Sequence, residues 1–89
     1  MRAVITVLGK DQVGIIAGIS NILANSNVNI LDISQTIMQD VFTMIMLTDV
    51  SNANVAFDSL SGTLEVKGRE LGLYVKIQHE DIFSSMHRI

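Results

Sequence analysis

The most restrictive feature of this chain is a change of hydrophobic period across a six-residue join. In "RAVITVL", residues 2–8, the β-branched Val4, Ile5, Thr6 and Val7 mark an extended strand. After "GKDQVG", residues 9–14, Ile15, Ile16, Ile19, Ile22 and Leu23 recur at three- and four-residue spacings, the period of an amphipathic helix. A strand that feeds straight into a helix confines the chain to layered packing, in which the helix buries its apolar stripe against a sheet. Gly9 is expected to end the strand and Asp11 to cap the helix. The helix should fade at "ANSN", where Asn25 or Asn27 takes the left-handed conformation.

The rest of the chain completes the pattern. Apolar runs from Val28 to Met38 and from Val41 to Val50 are separated only by Gln39 and Asp40, which predicts a tight hairpin. Ile30 and Leu31 are adjacent and break the alternation, so a bulge is expected there. "SNAN", residues 51–54, is a turn and cap signal, followed by a helical stripe of Phe57, Leu60, Leu64 and Leu71 that Gly72 closes. "LYVKIQ", residues 73–78, alternates again as a fourth strand. In the tail, Ile82, Phe83, Met86 and Ile89 have helical spacing. The order βαββαβ is that of the ferredoxin-like plait, an α+β fold with a four-stranded antiparallel sheet, two helices on one face and here a short C-terminal helix. One domain over residues 1–89 is expected.

The hairpin strands carry apolar residues on both sides: Phe42, Met44 and Met46 alternate with Val41, Ile45 and Leu47. The helices can cover one face. The tail, a second subunit, or both must cover the other. The composition agrees, since 48% hydrophobic residues in 89 is more apolar surface than so small a monomer readily buries. With no cysteine, neither a disulfide nor a thiolate zinc site can compensate, and a homodimer is the expected extra source of stability.

Charge excludes other classes. The net charge is −3, and Arg2, Lys10, Lys67, Arg69, Lys76 and Arg88 are scattered, a poor footprint for direct nucleic-acid contact. RNA recognition on this sheet would also need exposed aromatics, and Phe42 is the only aromatic of the hairpin strands. No apolar stretch reaches membrane-spanning length, so a cytoplasmic protein without a membrane partner is expected. A nucleophile elbow, a phosphate-cradling loop and a cysteine nucleophile are all absent, which predicts neither enzyme nor cofactor.

The join itself has binding chemistry. A helix N-terminus presents unpaired N–H groups and partial positive charge, which together favour a carboxylate. The dipole supplies only about 0.3–1 kcal/mol, whereas micromolar affinity needs about 8 kcal/mol. Several charge-assisted hydrogen bonds of roughly 1.5–3 kcal/mol each would therefore be required, with a second wall to exclude water. Asp11 can hold an ammonium or cap the helix. Gly14 permits close backbone approach, and Gly18 allows close helix packing on the sheet.

The run "KDQVGIIAGISNILANSNVNILDISQ" resembles the opening of an ACT domain, the small-molecule regulatory module of amino-acid metabolism. The likeness covers nearly the whole chain. Its tail, "HEDIFSSMHRI", is similar to that of small stand-alone bacterial and archaeal ACT proteins related to the glycine cleavage system transcriptional repressor. The resemblance implies a dimer that binds an amino acid or similar metabolite at its interface and signals to a regulated protein. Gly9, Lys10, Asp11, Gln12, Val13 and Gly14 would form one wall of the site, and Asn29 and Ile30 the other. Val13 stands where many relatives carry proline, and Asn27 where glycine often precedes the second strand. The alternative is a ligand-free assembly module that uses the same surfaces only for protein contacts.

Other groupings have plainer explanations. His79, Glu80, Asp81 and His87 include metal-ligand types, but helix-end charge and solvated histidines account for them, and no metal site is expected. Met38, Met44, Met46 and Met86 read as adaptable core filling. Ser34, Gln35 and Thr36 form a polar stretch that can line a groove, though edge or interface hydrogen bonds explain it as well.

Overall fold

The computed structural model describes residues 1–86, the side chain of Met86 excepted. His87 and Ile89, expected in the tail, therefore lie outside the described residues. The elements are β1 (Arg2–Lys10), α1 (Ile15–Asn25), β2 (Asn29–Met38), β3 (Val41–Asp49), α2 (Phe57–Leu71), β4 (Tyr74–His79) and α3 (Glu80–Met86). The strands form one antiparallel sheet in the order β2-β3-β1-β4. This is the expected ferredoxin-like plait.

Because strand side chains alternate between faces, register decides what each face contains. Ile5 lies between Met46 and Ile77, and Val7 between Met44 and Val75. These residues form the core with Ile15, Ile19 and Leu23 of α1 and Leu60 and Leu64 of α2. Both long helices thus cover the same face. Thr48 is fully buried there, with its hydroxyl donating to the Ala3 carbonyl at 2.9 Å.

The hairpin turn forms where expected, with Gln39 at φ 49° and Asp40 at φ 70°. Two consecutive positive φ values match the twist of the flanking strands. Asn27 is left-handed at φ 58°, and β2 shifts register between Ile30 and Asp32 as its broken alternation predicts.

Several expectations need correction. Strand β1 does not end at Gly9: it continues to Lys10, and Gly9 sits in the strand because Leu73 packs on it. An added Cβ there would stand 2.5 Å from Leu73 Cδ2 and 3.3 Å from Leu73 Cα. The N-cap of α1 is Gly14, not Asp11, since φ 94° at Gly14 delays the first helical turn. Gly14 has open space around its Cα, so its conformation and not close packing demands glycine. Gly18 faces α2 and not the sheet: its Cβ would meet Lys67 and Leu71. The "SNAN" turn does not cap α2, whose N-cap is Ala56 without a side-chain bond. Instead Asn54 donates from its backbone to Ser26 and from its side chain to Asn25, closing the end of α1.

Candidate functional site

The join leaves the end of the sheet and is tied down on two sides. The Asp11 N–H donates to the Asp40 carbonyl in the hairpin turn at 2.7 Å. The Gln12 side-chain amide donates to the Leu71 carbonyl at the end of α2, also at 2.7 Å. Gln12 is thus engaged in holding the loop. Val13, at the apex, is fully exposed, and Lys10 is exposed at the end of β1.

Between the join and β2 lies an open cleft of about 250 Å³. Asp11, Gln12, Gly14 and the first turn of α1, Ile15 to Ala17, make one side, while Gln35, Ile37 and Phe42 make the other. The start of α1 has no side-chain cap and no acidic residue in its first turn. Its unpaired N–H groups and positive dipole end therefore open into a space whose opposite wall is mostly apolar. The size lies below the roughly 300–1,000 Å³ of pockets for drug-sized ligands, so it suits a small metabolite.

Asn29 and Ile30 are elsewhere in the same chain. Ile37 pairs with Phe42, which pairs with Gly9, whereas Asn29 pairs with Asp49, which pairs with Arg2 at the opposite end of the sheet. Eight residues along β2 separate the two positions, roughly 25 Å at about 3.3 Å per residue. Asn29 lines a different hollow of about 350 Å³, with Asn27, Asp49 and Asn52. Beside it, the Ser51 hydroxyl and Ser51 N–H hold the Asp49 carboxyl below the usual carboxylate range.

Ile15, Ile16, Ala17, Ile37 and Phe42 are cleft residues that sequence reasoning missed, and Gln35 lines the cleft from the polar stretch of the second strand. Ile16 was a visible signal: it sits next to Ile15, off the buried face, and is 40% exposed. Ile15 and Ala17 belong to the same first turn of α1, whereas Gln35, Ile37 and Phe42 are brought to the join by strand register. His79, read as a solvated histidine, stacks on Phe57 with ring centroids 4.2 Å apart. Among the described residues no cluster of His, Asp and Glu is placed to hold a metal, and no helix is long and apolar enough to cross a membrane.

The ACT domain profile matches residues 2–78. This chain belongs to the ACT domain family. A UPF0237 protein of Clostridium acetobutylicum is 62% identical over 89 residues, covering all of both chains. The structure of an ACT domain protein from Streptococcus pneumoniae superposes with a TM-score of 0.80 at 40% identity, covering 98% of each chain. A putative glycine cleavage system transcriptional repressor matches with a TM-score of 0.76 at 26% identity, over 86% of this chain and 44% of that one. The ACT domain described here is thus built like modules of regulatory proteins.

Proposed function

We propose that this ACT domain is a cytoplasmic, non-catalytic homodimer that binds a small amino acid at two equivalent interface sites and passes its binding state to a regulated protein. The uncapped N-terminus of α1, open to the cleft beside β2, carries the reading. The ligand carboxylate meets the N–H groups of the first turn, its ammonium meets Asp11, and its side chain faces Ile37 and Phe42.

The dimer completes the site. β2 is an edge strand exposed along nearly its whole length, with Ile33 41% and Ile37 54% exposed, and its outer backbone groups have no strand partner among the described residues. Such an edge is a template for pairing with another chain. When β2 pairs antiparallel with β2 of a second copy, centred near Ile33 and Ser34, the Asn29 end of one strand lies beside the Met38 end of the other. Asn29 and Ile30 of one protomer then approach the Gly9–Gly14 join of its partner. The separation of roughly 25 Å within one chain becomes proximity between two. A ligand that bridges the copies shifts their arrangement by its differential affinity for the two states.

The test is a thermal-shift screen against the standard amino acids at two protein concentrations, repeated with Asp11→Ala and Asn29→Ala. A ligand at one hundred times its Kd adds about 2.7 kcal/mol. For a chain of this size each kcal/mol moves Tm by about 4–8 °C, so the shift is about 10–20 °C and both variants reduce it. If no amino acid moves Tm while Tm rises with protein concentration, the join is a structural turn in a ligand-free assembly module.

A further inference from the structure

Among the described residues, the sheet face opposite α1 and α2 is covered at one end only. By register, Arg2, Val4, Thr6, Leu8 and Lys10 of β1 point to that face. Val4 is 5% exposed and Leu8 43%. Both are aliphatic residues of one strand, so a cover over the Val4 end explains the difference. That cover is α3, which packs against β1 and β4. Its Glu80 accepts two hydrogen bonds from the Arg2 guanidinium, at 3.1 and 2.5 Å. Among the described residues nothing covers the face beyond α3: Val41, Ile45 and Tyr74 are 46%, 39% and 54% exposed. Alternation also places Lys76 on this half, and Lys10 lies at its far end.

The outer side of α3 complements this bare half. Ile82 is 51% exposed, and the first turn carries Glu80 and Asp81. A helix is about 10–12 Å across with its side chains, which matches two strands at about 4.8 Å spacing. One helix therefore spans β1 and β4 over Leu8 and Tyr74, as α3 already does over Val4. We propose that the bare half binds α3 of a second copy, with Ile82 on Leu8 and Tyr74 and Asp81 facing Lys76. A twofold axis across the strands, midway between two facing sheets, makes the exchange reciprocal. Each α3 then lies between the two sheets. Apolar surface meets apolar surface, and the Asp81 carboxylate, which unlike Glu80 is not paired with Arg2, meets Lys76.

This contact is separate from the β2 edge. Two copies paired through β2 expose their bare halves on the same side of a continuous sheet, so the α3 contact joins two such pairs into a tetramer.

Sedimentation equilibrium of the full chain, with circular dichroism as a folding control, tests the contact. Wild type is expected to be tetrameric. Lys76→Glu and Asp81→Lys should each halve the mass, and the double variant should restore it. If wild type is dimeric and Lys76→Glu gives monomer, the α3 contact stands and the β2 pairing fails. If the mass of wild type is unchanged by either single variant, or the double variant fails to restore what the singles lose, the inference is overturned. A folded variant with altered secondary structure is replaced in the test by Leu8→Asp, judged by the same halving of mass.

Discussion

Two glycines six positions apart in α2 should respond oppositely to the same substitution. Gly62 is exposed, and a Cβ there would meet nothing within 4 Å. Gly62→Ala gains the full difference in helix propensity, about 0.8–1 kcal/mol. Gly68 is buried, and its Cβ would stand 2.8 Å from Val75 Cγ2 and 2.9 Å from the Leu73 carbonyl oxygen. Neither neighbour yields easily. The Leu73 N–H is bonded to the Gly68 carbonyl at 2.7 Å, which fixes the helix end to the start of β4. Overpacking of this kind costs about 1–3 kcal/mol. With the same propensity gain, Gly68→Ala is neutral to about 2 kcal/mol destabilising. The two variants should therefore differ by about 1–3 kcal/mol. At a urea slope near 1 kcal/mol/M, their unfolding midpoints separate by about 1–3 M when measured at one protein concentration. Coincident midpoints would refute the close approach of α2 to β4. The same approach places the Leu71 carbonyl that holds Gln12, so the cleft depends on it.

Gly14→Ala forces a side chain into φ 94° without creating a clash, and should cost about 1–2 kcal/mol in urea unfolding while weakening any ligand response. Replacing Gln39-Asp40 with Asn-Gly gives both positive-φ positions their preferred residues and should stabilise by about 1 kcal/mol, read from the same titration. Asp49 is held below its unfolded range by hydrogen bonds from Ser51. Its contribution is thus present above the ordinary carboxylate range near pH 4 and is lost as pH falls through the lower folded value. Asp49→Asn should flatten the acid limb of a Tm-against-pH profile, while leaving its shape near pH 7 unchanged.

The strands and long helices were legible because hydrophobic period is a local property. Val4 to Val7, the Ile15–Leu23 stripe and the Gln39-Asp40 break each state their geometry within a few residues. Even the bulge after Ile30 shows as two adjacent apolar residues. The join was legible as a helix start, but its details were not. Asp11 is a good capping residue by type, yet its backbone is bonded to Asp40, twenty-nine positions away, and the helix begins only after Gly14 turns the chain.

What the sequence determined by itself is the order of elements, their approximate limits and the amphipathic character of each, because steric preference and side-chain alternation act between near neighbours. Tertiary structure alone decided which residues share a space. Strand register brings Gln35, Ile37 and Phe42 to the start of α1 and carries Asn29 to the far end of the sheet. Among the described residues it also leaves half of the second face bare. Register is a sum over pairings distant in sequence, and a shift of one residue would turn every side chain of a strand to the other face. No local pattern contains that sum.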